Sequence, residues 1–402
     1  MSTQQPTLFD SDRQTQVQAL EQTVTSLRAF GAEYKHWAIA FSGGKDSTAA
    51  VTVLAAILED GRVPQPESIT VLYADTRMEL PPLQASAYRI LEILRARGWK
   101  TEVVLPEMDD RFFVYMFGRG VPPPSNTFRW CTAQLKIEPM QKALLELRQQ
   151  TGKKLLMMTG VRVGESAVRD ARIALSCGRN GAECGQGWFQ ETTPESVADT
   201  LAPLLHWRVC HVWDWLWLDA PARGFPTAMM AQVYGGDEAL EVNARTGCIG
   251  CNLASRDLAL ETLLERPKWG YLRPLSELRP LYAELKNPRN RLRKCGDETR
   301  ADGSPVANPG RMGPLTMEAR EMGLAKVLEI QSLCNDARGE MPPIDLLNAE
   351  EVFRIRELIA ANTWPQRWTG DEERADTVRD EIRRDGSLQK VLTSMLEGGV
   401  KK

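Results

Sequence analysis

The run Phe41-Ser42-Gly43-Gly44-Lys45-Asp46-Ser47 constrains this chain most, because it joins an apolar strand to an apolar helix through a turn with two adjacent glycines. Trp37 to Phe41 (WAIAF) reads as a short buried strand, and Ser47 to Leu58 (STAAVTVLAAIL) as a helix apolar nearly all round. The glycines let the backbone turn sharply and approach a ligand closely. Successive N–H groups and the positive end of the new helix then face one point, which suits an anion of several charges. Ser42 and Ser47 add hydroxyl donors, and Lys45 adds a charge. The spacing is neither that of the Gly-x4-Gly-Lys mononucleotide loop nor that of the Gly-x-Gly-x-x-Gly dinucleotide turn. A Gly-Gly pair before a helix is usually only a tight connection; the whole seven-residue word is what selects.

Further strands and helices follow in alternation. Ser68 to Tyr73 (SITVLY) reads as a strand ending at Ala74-Asp75-Thr76, Leu83 to Arg97 as a helix, Thr101 to Leu105 as a strand, and Leu155 to Thr159 as a strand ending at Gly160-Val161-Arg162. This pattern predicts an α/β fold, a doubly wound and mainly parallel sheet with ligands at the carboxyl ends of its strands. Thr15 to Phe30 carries Val17, Leu20, Val24 and Leu27 on one helical face, and Ile137 to Arg148 is a second amphipathic helix. From about Leu258 the pattern is helical, broken by the Gly/Pro-rich stretch Asp302 to Pro314. The expected organisation is an N-terminal helical segment at 1–35, a nucleotide-binding domain at 36–257, and a mainly helical C-terminal appendage at 258–402.

With 402 residues, 43% of them hydrophobic, the chain can bury a substantial core. No stretch of about 18 apolar residues is present, and the first residues lack the plan of a signal peptide, so no membrane contact and a cytoplasmic location are expected. In a reducing compartment, eight cysteines are read first as metal or redox ligands where they cluster. A net charge of −3 and a pI near 5.9 are unlike a stand-alone nucleic-acid binder.

Asp75 and Thr76, with Glu79, could bind magnesium or a ribose hydroxyl at a strand end; the bland alternative is that Asp75 caps the next helix. Gly160 and Arg162, with Arg169 seven residues further on, could neutralise phosphate oxygens; alternatively they belong to a salt-bridged surface turn. Cys248-Ile249-Gly250-Cys251 is a C-x-x-C whose glycine eases a tight metal-binding loop. Cys177 and Cys184 lie in a Gly-rich segment and could add ligands. Cys131, Cys210, Cys295 and Cys334 are single, and each is read by default as a small buried hydrophobe. The run Lys286 to Arg300 (KNPRNRLRKCGDETR) is either a solvated face or a contact to DNA phosphates, extended by Arg266, Lys268 and Arg273.

Taken in order, SGGKDS at 42–47, ADT at 74–76, NTFRWCTAQLKIEPM at 126–140, TGVRVGESAVR at 159–169 and CIGC at 248–251 resemble the phosphoadenosine phosphosulfate reductase-like branch of the PP-loop ATP pyrophosphatase superfamily. Within that branch the likeness runs to the DNA phosphorothioation proteins of the DndC and SspD type. The resemblance covers about residues 36 to 330. It implies ATP and magnesium at Ser42, Gly43, Gly44, Lys45, Asp46 and Ser47, with Asp75, Thr76, Gly160, Arg162 and Arg169 as further cofactor contacts. Lys45, Asp46 and Cys131 become the candidate catalytic residues.

In sulfonucleotide reductases, two adjacent cysteines and a later C-x-x-C bind a 4Fe-4S cluster. Here Trp130 replaces the first, which leaves Cys131, Cys248 and Cys251 as a three-thiolate set, with Cys177, Cys184 or Cys295 as possible fourth ligands. Alternatively Cys177 and Cys184 join the C-x-x-C pair and Cys131 carries a persulfide; zinc is the lesser option. The reductases' C-terminal nucleophilic cysteine is not matched after Cys334, and their departure from the full SGGKDS word is not shared. The resemblance therefore implies an ATP-dependent sulfurtransferase acting on DNA, with a cysteine desulfurase and other phosphorothioation proteins as partners. A tRNA base thiolase, a sulfonucleotide reductase-like enzyme and a non-enzymatic subunit of an antiviral defence complex are the alternatives.

Overall fold

The computed structural model describes residues 14–164, 194, 196–234, 248–294, 312–377, 379–382 and 388–391. The chain forms two compact units. One comprises Met1–Asp75, Leu80–Leu105 and Glu138–Thr246; the other comprises Thr76–Glu79, Pro106–Ile137 and Gly247–Lys402.

In the first unit, strands β1 (His36–Phe41), β2 (Ser68–Ala74), β3 (Lys100–Val104), β4 (Leu155–Met158) and β5 (Ala198–Leu201) form one sheet in the order β3-β2-β1-β4-β5. Every pairing is parallel. Helices α1 (Gln16–Ser26), α2 (Lys45–Glu59), α3 (Pro81–Ala96), α4 (Glu138–Thr151) and α5 (Ala228–Tyr234) belong to this unit. The α/β expectation is met, with a wholly parallel sheet. β1 is the switch point, with β2 on one side and β4 on the other, so the loops that follow β1 and β4 open onto one crevice.

The apolar character of α2 has a direct cause. All residues from Ala49 to Leu58 are buried, and on the helix face turned from the sheet the Trp215 indole donates to Thr52 Oγ1 at 2.9 Å. A helix enclosed on all sides must be apolar on all sides. Ala38, Leu72, Leu144, Leu147, Leu155, Met157 and Ala198 form a core between α4 and the sheet.

β5 has no counterpart among the sequence-based expectations. Its four residues (ADTL) offer no apolar run, yet Ala198, Thr200 and Leu201 are buried, and Asp199 pairs with Lys154 Nζ at 2.6 Å. α1 is shorter than its apolar period suggests, giving way to a widened turn at Leu27–Gly31.

The second unit carries helices α6 (Leu258–Leu264), α7 (Leu278–Leu285), α8 (Met317–Ala337) and α9 (Ala349–Ala360). It also contains an antiparallel three-stranded sheet, β7-β6-β8, formed by β6 (Arg291–Arg293), β7 (Met312–Leu315) and β8 (Glu373–Arg374). The helical character expected after Leu258 is present, with this small sheet added. α8 is held by Arg320, which is fully buried and donates from Nε to the Phe117 carbonyl at 2.7 Å and from Nη1 to that of Thr363 at 2.9 Å. Gly323 lets α8 meet Phe117, since a Cβ there would stand 2.3 Å from the ring.

Candidate functional site

The turn between β1 and α2 has the expected form. Gly43 takes the left-handed conformation (φ +71°) that favours glycine, and Gly44 ends the turn as the residue preceding α2. The Ser42 and Ser47 hydroxyls lie 3.1 Å apart, and Ser47 Oγ donates to the Gly44 carbonyl at 3.1 Å and accepts from Ser42 N–H at 3.3 Å. The loop after β4 closes against it. A Cβ on Gly160 would stand 2.7 Å from both the Asp46 carbonyl carbon and the Ser47 nitrogen, so Gly160 is required by backbone approach and contributes no side chain to a ligand.

Three charges meet at the start of α2. Asp46 Oδ2 accepts from Lys45 Nζ at 2.7 Å, and Asp46 Oδ1 from Arg162 Nε at 2.6 Å; Arg162 Nη1 also donates to the Trp207 carbonyl at 3.0 Å. Lys45 and Arg162 are buried, at 5% and 4% exposure. Burial would raise the Asp46 pKa, but the charges of Arg162 and Lys45 outweigh it and hold the carboxyl below its ordinary value. The trio carries one net positive charge beside the helix N-terminus, an arrangement suited to an anion. Tyr234 completes the turn: its hydroxyl accepts from Lys45 N–H at 3.2 Å, and Lys45 Nζ lies 5.9 Å from its ring centroid.

Asp75 is 1% exposed. It does not cap α3, whose first residue is Pro81 after Leu80. Instead Asp75 accepts from Gln84 Nε2 at 3.2 and 3.3 Å and from the Tyr88 hydroxyl at 2.8 Å, two α3 side chains one turn apart. Thr76 belongs to the second unit, where its hydroxyl donates to Glu79 Oε1 at 2.7 Å. Arg77, which follows, is a non-glycine residue in the left-handed region (φ 62°), a backbone strain that pins this strand exit. Arg169, Cys177, Cys184 and Cys295 lie outside the described residues.

Cys131, Cys248 and Cys251 come together in the second unit. Cys131 sits in a helical turn, Trp130–Thr132, anchored by Trp130, whose ring stacks on Phe112 (5.3 Å between centroids) and whose indole donates to the Pro122 carbonyl at 3.1 Å. Thus Trp130, at the position of a reductase cysteine, serves as an apolar anchor. The C-x-x-C loop is fixed from four directions. Ile249 N–H donates to the Met78 carbonyl at 2.7 Å, Gly250 N–H to Asp257 Oδ2 at 3.1 Å, and Asn252 Nδ2 to the Pro124 carbonyl at 3.0 Å, while Arg279 Nη1 donates to the Cys251 carbonyl. Gly250 (φ +64°) must be glycine, because a Cβ would meet Leu278 Cβ at 2.7 Å.

Cys131 and Cys248 ionise less readily than a free thiol. Burial first, then the Cys251 charge, raises the Cys131 pKa; burial pushes Cys248 up to about 11, against the opposing charge of Lys136. The Lys136 side chain reaches solvent and is held protonated: desolvation pulls its pKa down, but the charges of Cys248, Glu79, Cys131 and Cys251 more than offset it. Among the described residues no group of three or more Cys, His, Asp or Glu side chains is gathered to hold a metal ion.

Sequence reasoning missed Lys136, Tyr234 and Trp207. Lys136 stands five residues after Cys131, but an exposed-looking lysine in an amphipathic segment gives no signal; Tyr234 and Trp207 lie far from the turn in sequence. Two arginines of the basic run are turned inward. Arg291 and Arg293 are buried, at 7% exposure each, donating to the carbonyls of Gly313 (2.6 Å) and Thr377 (2.9 Å), and Arg289 pairs with Glu284. Burial lowers the Arg291 pKa to about 10. These guanidinium groups satisfy buried backbone, which removes them from phosphate binding. Of the other single cysteines, Cys334 is buried, as the default reading has it, whereas Cys210 is exposed. Among the described residues no helix is long and apolar enough to cross a membrane.

Comparison with known proteins gives the following. Two curated relatives from Methanocaldococcus jannaschii are similar to part of the chain: uncharacterized protein MJ0973, 23% identical over 188 residues (46% of this chain, 37% of that protein), and uncharacterized protein MJ0066, 25% identical over 183 residues (44% and 30%). The chain thus spans about a third of the length of the curated relatives it matches. Among solved structures, a phosphoadenylyl-sulfate reductase from Candida auris in a phosphate complex matches with a TM-score of 0.32 and 13% identity, over 54% of this chain and 90% of that one. The U34-tRNA thiolase NcsA from Methanococcus maripaludis, with its 4Fe-4S cluster, matches with a TM-score of 0.34 and 13% identity, over 71% and 86%. Residues 36–220, the stretch that carries the Ser42–Ser47 turn, Asp75, Cys131 and Arg162, match the phosphoadenosine phosphosulfate reductase domain.

Proposed function

We propose that this chain is an ATP-dependent sulfurtransferase that replaces a nonbridging phosphate oxygen of DNA with sulfur. The observation that carries the reading is the joint presence of two things on one chain: the complete Ser42–Ser47 turn, with its Lys45–Asp46–Arg162 charges, and the three-thiol set of Cys131, Cys248 and Cys251. A turn built for pyrophosphate has use only where ATP is split between its α and β phosphates. A set of three thiols has use where sulfur is handled.

In the reaction, a nonbridging phosphodiester oxygen attacks the α-phosphorus of ATP; a P–O bond forms and pyrophosphate leaves. Lys45, Arg162 and the N–H groups at the start of α2 take up the charge that develops on the leaving group, with Asp46 holding both cations in place. Asp75 would help to hold magnesium, which would supply positive charge to the phosphates. Hydrosulfide, derived from a cysteine desulfurase with a thiol reductant, then attacks the activated phosphorus, forming the P–S bond and expelling AMP. Cys131, Cys248 and Cys251 would hold an iron–sulfur cluster, which would supply the chemistry for carrying sulfide. Lys136 offsets the negative charge of the thiolates. DNA and further phosphorothioation proteins are the proposed partners.

The test is pyrophosphate and AMP release from ATP by the anaerobically reconstituted protein with sulfide and DNA, followed by mass analysis of digested DNA and tRNA. Phosphorothioate dinucleotides in the DNA are expected. Sulfur in tRNA bases with none in DNA would overturn the acceptor, and no pyrophosphate release would overturn the adenylating role.

A further inference from the structure

The segment between the proline run and Cys131 has no assigned role, yet it presents an aromatic ring to solvent three residues before Cys131. Ser125 and Phe128 exchange backbone hydrogen bonds (Ser125 N–H to Phe128 carbonyl, 3.1 Å; Phe128 N–H to Ser125 carbonyl, 3.0 Å), closing a tight turn over Asn126 and Thr127. The Phe128 side chain is 47% exposed. Arg129 is exposed too, its guanidinium steadied by Asn126 Oδ1 at 3.0 Å, and it makes no ion pair among the described residues.

This turn is fixed at both ends. Trp130 is buried immediately after it, and the Pro124 carbonyl immediately before it accepts from Asn252, the neighbour of Cys251. The turn is tied to the segments that carry the thiols by two routes: Phe128 lies three residues along the chain from Cys131, and the Pro124 carbonyl accepts from Asn252, the neighbour of Cys251. An exposed phenyl ring on a hydrogen-bonded turn, with a guanidinium one residue on that makes no ion pair among the described residues, matches what single nucleic-acid strands bind: a π-face for a base and a cation for its phosphate.

We propose that the Phe128–Arg129 turn is a nucleotide platform, on which an unstacked base of the acceptor strand stacks against Phe128 while Arg129 holds the adjoining phosphate. This rests on the nucleic-acid reading above and deepens it, since it requires the acceptor to be single-stranded or locally unstacked where sulfur enters.

The experiment measures binding of a fluorescent single-stranded oligonucleotide, as DNA and as RNA of the same sequence, and of the DNA duplex, by anisotropy over a range of salt. Phe128→Ala should weaken single-strand binding on the order of tenfold, and Phe128→Trp should restore it. Arg129→Gln should reduce the slope of log affinity against log salt by about 0.7, the contribution of one strand phosphate. Urea unfolding midpoints of the variants equal to wild type exclude misfolding as the cause. Wild-type single-strand binding undiminished in Phe128→Ala overturns the platform and leaves the sulfurtransferase reading standing. Wild-type protein that binds none of the three nucleic acids overturns both. The DNA and RNA arms identify which strand the platform takes.

Discussion

Arg162→Met isolates the charge trio at the start of α2. The substitution keeps an apolar side chain of comparable reach and removes only the guanidinium. The lost Nε–Oδ1 bond to Asp46, at 2.6 Å, is charge-assisted and contributes about 1.5–3 kcal/mol; leaving the buried Trp207 carbonyl without this donor costs about 1 kcal/mol more. Lys45 remains 2.7 Å from Asp46, whose side chain is 18% exposed, so the carboxylate is not stranded. The expected loss is ~3 kcal/mol at neutral pH. Because Asp46 titrates below its ordinary value of 3.8, its ionised form stabilises the fold above that value, and this contribution is lost as pH falls through the lower folded-state value. Removing Arg162 leaves burial acting on Asp46 with one fewer opposing charge, so the variant's Asp46 protonates at higher pH than wild type. The stability difference must then narrow as pH falls below about 4. Urea unfolding of both proteins at about pH 7 and pH 3, with Asp46→Asn and the double variant completing a cycle, measures this. A loss under ~1 kcal/mol, a loss of equal size at both pH values, or a coupling near zero would refute the assignment.

Gly160→Ala forces a Cβ to within 2.7 Å of the α2 backbone, where no flexible side chain can yield; we expect about 1–3 kcal/mol of destabilisation and weakened ATP binding, checked by thermal unfolding and calorimetric titration with ATP. Lys136→Met removes the cation that offsets the thiolates, so iron and sulfide bound per chain after anaerobic reconstitution should fall, with Lys136→Arg retaining most of both; equal loading of Lys136→Met would contradict the role given to its charge. Glu351→Gln weakens ion pairs to Arg77 and Arg111, both at 3.2 Å from a carboxylate only 2% exposed, and a loss of about 3 kcal/mol in unfolding free energy is expected.

The distance over which each feature is determined separates what was legible in the residues from what was not. The strand–turn–helix at 37–58 was readable because glycine conformations and apolar periodicity act within a few residues. β5 was not, because a four-residue strand with two polar members is defined by its pairing with β4, not by its own pattern. The burial of Arg291 and Arg293 was not legible for the same reason: two arginines that look like surface charge when read along the chain satisfy carbonyls some twenty and eighty residues away. Asp75 read equally well as a cap, and only the start of α3 at Pro81, with Gln84 and Tyr88 turned toward it, decided otherwise.

By itself the sequence determined the glycine turn between β1 and α2, the parallel α/β plan and which residues carry thiols, because each follows from local backbone preference or from residue chemistry. Only the tertiary structure decided that Arg162 clamps Asp46, that Tyr234 meets Lys45, that Gly160 admits the β4 loop to α2, and that Lys136 stands among the cysteines. Those are pairings across tens to hundreds of residues, selected by the requirement that buried charges and backbone groups find partners, and no local pattern encodes which partner is found.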